Sequence, residues 1–198
     1  MKAVSLIAIA LLIALPAEAA EHEFAQCVLC HGTDANGNIG IHAPKLAGLE
    51  RWYIARQLQA FRTGQRGTHA DDVNGSEMRT IAMHLSKDAT ARAVDYIASL
   101  PSVKSTPTVK GDVRKGATLY STCAACHGRK GEGNTTLNAP TLARSSDWYL
   151  VTQLNNYRNG LRGTNPQDTH GATMRAAASV LPDNQAVIDV VAYINTFR

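Results

Sequence analysis

Cysteine is rare in this chain: there are four among 198 residues. Long apolar runs are rarer still. After the first fifteen residues no segment is apolar enough, for long enough, to cross a bilayer as a helix, which takes about 20 residues. Aromatic residues make up 6% of the chain, and none are interleaved with a cluster of Lys and Arg. That argues against a nucleic-acid-binding stripe. No stretch alternates apolar and polar residues in the manner of a half-buried strand, so the expected class is all-α.

The one apolar run lies at the N-terminus. Lys2 precedes Ala3 to Leu15, Pro16 interrupts the run, and Ala17-Glu18-Ala19 fits a small-x-small cleavage site. Residues 1–19 therefore read as a signal peptide cleaved near Ala19, and the mature protein as exported to the periplasm. Export makes disulfides possible, yet the four cysteines are not distributed as a disulfide framework. They form CVLCHG at 27–32 and CAACHG at 123–128. Neither a disulfide nor a thioredoxin-like redox pair requires a histidine after the second cysteine. A zinc site would need four ligands per metal, and the two pairs lie 96 residues apart. C-x-x-C-H is the attachment signature of c-type haem. The two thiols bond covalently to one porphyrin, and the adjacent histidine reaches the iron from the same side. Cys27 and Cys30 would thus hold one haem with His31 as axial ligand. Cys123 and Cys126 would hold a second, with His127.

The repetition extends beyond these phrases. At the same offset, APKLAGLERWYIARQLQAFRTGQRGT (43–68) aligns without a gap with APTLARSSDWYLVTQLNNYRNGLRGT (139–164), and 13 of the 26 positions are identical. Self-similarity of this kind marks a duplicated unit. Two copies suggest tandem domains, at 20–100 and 113–198. The Pro-, Ser-, Thr- and Lys-rich segment 101–112 reads as the linker. Helices are expected at 21–30, 50–62, 112–126 and 146–158, and after Ser86 and Pro182. Gly64 and Gly160 are placed to stop the second helix of each half.

A second axial ligand should be duplicated if the unit is. Met78 lies 47 residues after His31, and Met174 lies 47 after His127, within GSEMR and GATMR. Met83 faces Ser179 in the alignment, and His69, His84 and His170 have no histidine counterpart. Met78 and Met174 are the expected sixth ligands. A thioether ligand raises the reduction potential and fills the position where oxygen or peroxide would bind.

Two C-x-x-C-H units, each followed by a proline and later a methionine, resemble the di-haem class I cytochromes c of the c4 type, over the whole mature chain. The resemblance implies two cytochrome c-like helical domains, each around one covalent haem c. It also implies that Pro44 and Pro140 offer their carbonyls to the outer nitrogen of the proximal histidine. The WY…QL…FR.G.RGT signature resembles cytochrome domains associated with terminal oxidases. The expected function is periplasmic electron transfer between respiratory complexes, with a terminal oxidase as acceptor and a quinol-oxidising complex as possible donor. Peripheral membrane association is compatible with that role. The alternatives are a di-haem enzyme of the peroxidase or thiosulfate-oxidising type, or a fixed oxidase subunit. Related thiosulfate-oxidising enzymes use a cysteine ligand at the active haem, and no cysteine is spare here. Trp52 and Trp148 are expected in the core. Arg66 and Arg162 read equally well as solvated loop residues or as partners of haem carboxylates. Charge is uneven: segment 20–103 has 8 basic and 9 acidic residues, and 104–198 has 11 and 6. A basic C-terminal half would steer toward an acidic partner surface.

Overall fold

A computed structural model describes residues 17–197. The expected leader, residues 1–19, lies outside the described residues apart from its last three positions. Among the described residues no helix is long and apolar enough to cross a membrane, and the only β-structure is a pair of isolated bridges, Asn38 with Ala43 and Asn134 with Ala139.

Among the described residues eight α-helices are arranged as two sets of four. The first set is α1 (Ala17–His31), α2 (Arg51–Arg62), α3 (Val73–His84) and α4 (Lys87–Ser99). The second is α5 (Val113–His127), α6 (Asp147–Arg158), α7 (Thr169–Ala178) and α8 (Asn184–Ile194). In each set the first helix packs on the last, and in the second set this contact is the most extensive between helices among the described residues. The reason is visible in the residues. In α4, Ala89, Ala93, Val94 and Ile97 recur at helical spacing and are buried. In α8, Ala186, Val187, Val190, Val191 and Ile194 do the same. Against them α1 sets Phe24, and α5 sets Tyr120, each almost fully buried. The Tyr120 hydroxyl donates to the Gly128 carbonyl at 2.7 Å, so its polar end is satisfied. Side-chain caps fix where the last helices start: Ser86 Oγ accepts from Ala89 N at 3.0 Å, and Asp183 Oδ1 from Ala186 N at 2.8 Å.

The segment 101–112 contains no helix, but it is tethered along its length. Lys45 Nζ donates to the Val103 carbonyl. Asp147, 1% exposed, accepts from Thr108 N (2.6 Å), Thr108 Oγ1 (2.8 Å) and Val109 N (2.8 Å). Asp189 accepts from Asp112 N at 2.9 Å. The strand of chain joining the sets is therefore strapped to both of them.

Two findings differ from the sequence reading. The helices α3 and α7, which carry Met78 and Met174, have too weak an apolar period to be read from sequence. Trp52 and Trp148 are half-buried rather than core. Trp148 meets His42 of the other half, ring centroids 6.0 Å apart, and Trp52 lies under the Arg56 guanidinium, 4.8 Å from its centre. Trp148 thus lies in the junction between halves, and Trp52 supports an arginine that reaches across it.

Candidate haem sites and the junction between them

Each C-x-x-C-H phrase ends its helix, so the histidine side chain leaves the last turn of α1 or α5. His31 and His127 are each 5% exposed. His31 Nδ1 lies 2.7 Å from the Pro44 carbonyl, and His127 Nδ1 lies 2.8 Å from the Pro140 carbonyl. A carbonyl can only accept, so Nδ1 carries the proton and Nε2 keeps its lone pair. Burial pushes both imidazoles below their ordinary pKa, against the opposing pull of the proline carbonyl. The rings are thus neutral, in one tautomer and held in one orientation. These are the properties a metal-ligating histidine needs.

The cysteines are distinguished by position. Cys27 and Cys123 are half-buried, and Cys30 and Cys126 are exposed. Burial, and then the neighbouring Cys30, pushes the Cys27 thiol up to about 11. Burial also raises Cys123. Redox-active C-x-x-C pairs work through a lowered thiol pKa, so the shift runs opposite to that chemistry.

In the second half a cavity of about 450 Å³ opens beside these groups. Cys123, Cys126, His127, Pro140, Leu150 and Met174 are among its lining residues. Its volume falls in the range of small-molecule and cofactor sites. Met174 stands on α7, and α7 is placed by the duplicated R-G-T loop. Gly163, at φ +77°, approaches the first turn of α7 so closely that a Cβ there would lie 2.3 Å from the Gly171 carbonyl oxygen. Gly67 repeats this at φ +75°, against Gly75 on α3, the helix of Met78. The loop signature read from the sequence therefore sets the height of each methionine helix. Asp72 and Asp168 begin those helices, their carboxylates accepting from Gly75 N and Gly171 N.

The proline segments are braced from the opposite half. Lys45 N donates to Ser146 Oγ at 3.2 Å, and Thr141 N donates to Glu50 Oε1 at 2.9 Å. Ser146 and Glu50 are equivalent positions at the helix starts. The carbonyl that orients each histidine is thus held, one residue on, by the other half.

Arg66 and Arg162 are buried, 6% and 5% exposed, so the solvated-loop alternative is corrected. They form a ring with Gln57 and Gln153. Arg66 donates to Gln57 Oε1 at 2.8 Å and to Gln153 Oε1 at 2.9 Å. Arg162 donates to Gln153 Oε1 and Gln57 Oε1, both at 2.7 Å. Arg66 also donates to the Tyr149 hydroxyl at 2.7 Å. The guanidiniums stack on Phe61 and Tyr157, at 4.4 and 4.6 Å. Burial opposes ionisation of Tyr149, but the charges of Arg66 and Arg162 outweigh it and hold the phenol below its ordinary pKa. The acceptors in this ring are amide and hydroxyl oxygens, not carboxylates. Among the described residues no carboxylate makes salt-bridge contact with either arginine, and Arg66 Nε and Arg162 Nε are buried without a partner. Buried cations call for an anion, and both arginines line the second-half cavity, where the carboxylates of a bound haem would supply one. The donor set fits the group. The sequence reading missed the glutamines and tyrosines of this ring, although Tyr53/Tyr149 and Gln57/Gln153 are duplicated within the WY…QL signature.

The comparisons agree with this architecture. A family model described as Cytochrome c matches residues 17–101 and again 113–198. Cytochrome c4 of Azotobacter vinelandii is 31% identical over 191 residues, covering 90% of this chain and 87% of that protein. A thiosulfate dehydrogenase electron acceptor of Stutzerimonas stutzeri strain A1501 is 30% identical over 179 residues, covering 85% and 78%. The structure of reduced recombinant cytochrome c4 from Pseudomonas stutzeri superimposes with a TM-score of 0.69 at 27% identity, over 90% of this chain and 96% of that one. With two C-x-x-C-H phrases, two oriented histidines and a matching cavity, the chain belongs to the cytochrome c family, as a tandem di-haem member of the c4 type that carries two covalent haem c groups on Cys27/Cys30 and Cys123/Cys126.

Proposed function

We propose that this cytochrome is a periplasmic one-electron carrier between respiratory complexes, with His31 and Met78 as axial ligands in one domain and His127 and Met174 in the other. The domains are 20–100 and 113–198, joined by 101–112. Bound haem supplies the one-electron iron couple; the chain holds, orients and tunes it. The observation that carries the reading is the buried, Nδ1-protonated histidine in each half, paired with a helix whose methionine is placed by the same R-G-T loop. Methionine on the second axial position leaves no site for substrate at the metal and favours the reduced state. That combination suits electron relay rather than bond-making. The chain has no cysteine beyond the two phrases to serve as an alternative ligand.

A terminal oxidase is the proposed acceptor, following the likeness of the helix–loop signature to oxidase-associated domains, and a quinol-oxidising complex is the proposed donor. A second donor is a thiosulfate-oxidising enzyme, because one relative is described as the electron acceptor of such an enzyme. Spectroelectrochemical titration of the mature holoprotein tests the core of this reading. Two His/Met centres give two one-electron waves and a far-red Met–iron band in the oxidised protein. Met78→Ala and Met174→Ala each remove half of that band. A substitution that leaves band and potential untouched ends the assignment of that methionine.

A further inference from the structure

The two haem sites are built from repeated parts, and one of the charged differences between them lies in the wall of the second cavity. Arg56 on α2 aligns with Thr152 on α6. Its guanidinium reaches across the junction, and Nη2 donates to the Asn138 carbonyl at 3.1 Å. Asn138 is two residues before Pro140, in the loop that orients His127. Arg56 stacks on Trp52 and Tyr53 of its own helix, at 4.8 and 5.6 Å. It also lines the 450 Å³ cavity of the second half, together with Tyr53, Gln57 and Arg66. Arg56 Nη1 is buried with no hydrogen-bond partner, and among the described residues no carboxylate is in salt-bridge contact with it. Burial depresses its pKa, against smaller opposing pulls from Tyr53, Tyr157 and Asp168.

We propose that Arg56 is a carboxylate-anchoring residue lent by the N-terminal half to the C-terminal haem, and that its charge raises the reduction potential of that site alone. The physical argument is short. The cavity fits a group with two carboxylates, and Arg56 lines it with Nη1 unpartnered and with no carboxylate in salt-bridge contact; Asp168, which lines the same cavity, acts on it only through its field. Guanidinium suits a planar carboxylate. A cation held near the iron disfavours the oxidised centre, which carries one more positive charge than the reduced one. The opposite site has Thr152 at this position, whose hydroxyl is turned back onto the Trp148 carbonyl of its own helix at 3.0 Å. Arg56 is therefore a cation on one side only, unlike Arg66 and Arg162, which the repeat pairs. The inference rests on the haem c assignment and is independent of the redox partner.

The test uses the full-length holoprotein and spectroelectrochemical titration of both waves, with Arg56→Thr, Arg56→Gln and Arg56→Lys. Threonine copies the other half. Glutamine removes the charge but keeps a donor for the Asn138 carbonyl, and lysine keeps the charge. Arg56→Thr and Arg56→Gln should each shift one wave downward by about tenfold in its redox equilibrium constant, ~59 mV for one electron, and move the other by less than twofold. Arg56→Lys should stay within about threefold of the parent on both waves. Thr152→Arg should raise the wave that the Arg56 variants leave alone. The proposal is overturned if Arg56→Gln keeps the parental waves, which would make Arg56 a loop clasp only. It is equally overturned if the neutral variants move both waves together.

Discussion

The approach of Gly163 to α7 allows a prediction with an internal control. Gly160 and Gly163 share one conformation, at φ +75° and +77°. Alanine in the left-handed region costs about 1–2 kcal/mol at either position. Their surroundings differ. A Cβ on Gly160 would find its nearest neighbour, Thr164 Cγ2, at 3.7 Å, an ordinary contact. A Cβ on Gly163 would sit 2.3 Å from the Gly171 carbonyl oxygen. That oxygen belongs to the helix backbone and cannot rotate aside, so α7 must move. Overpacking of this kind adds about 1–3 kcal/mol. Gly160→Ala should therefore lose about 1.5 kcal/mol, and Gly163→Ala about 3 kcal/mol or more. Only the second should displace Met174, which stands three residues beyond Gly171 on the helix that is pushed. Denaturant unfolding of the holoprotein measures the two losses, and the far-red band of the oxidised protein reports on Met174. Equal losses in the two variants, with the full band kept in both, would refute the claim that the loop sets the methionine helix.

Asp147 should give the molecule an acid limit. Burial pushes its carboxyl up, but hydrogen bonds from Val109 and Thr108 outweigh this and hold it below the ordinary value. A group depressed in the folded state contributes stability above its unfolded pKa and loses it as pH falls through the folded one. Asp147→Ala should thus cost about 3 kcal/mol near neutrality by stranding buried donors, and the gap between variant and parent should narrow below about pH 4 in pH-dependent unfolding. A gap independent of pH would place the effect elsewhere. Phe24→Ala removes an aromatic ring from the α1–α4 contact and should cost about 3–5 kcal/mol. Leu29→Ala, at a position 85% exposed between the two cysteines, should cost less than about 0.5 kcal/mol. Thermal unfolding of the two holoproteins distinguishes them, and similar midpoints would contradict the packing of α1 described above.

Much of this was readable because the chemistry is local. A C-x-x-C-H phrase must be contiguous to grip one porphyrin, and its duplication exposed the two-part organisation. Helices α4 and α8 were legible because each buries a continuous apolar face, and α2 and α6 because apolar residues recur along them at helical spacing, although α6 also buries Asp147, Gln153 and Asn156. Helices α3 and α7 were not. Their residues, VNGSEMRT and THGATMRA, include glycine in the first turn and few apolar side chains. Their position is determined by a cap and by the R-G-T loop more than by an apolar stripe. The roles of Trp148, Arg66 and Arg162 depend on contacts between segments 83 to 106 residues apart. A helical period reports that a face is covered. It does not say whether the cover is the core of the same half or the surface of the other.

The ring of Arg66, Gln57, Arg162 and Gln153 has a consequence for how this molecule arose. Each arginine binds its own glutamine and the equivalent glutamine across the junction, and the Glu50–Thr141 and Ser146–Lys45 bonds exchange partners in the same manner. Such exchange is the mark of an isologous contact, the self-complementary face used by symmetric homodimers. The contact does not need fusion to form, so a single-haem ancestor pairing with its own copy could already have made it. Joining the copies freed each to change separately, and the substitution of Thr152 for an arginine, or the reverse, is a change that only a fused pair can keep on one side.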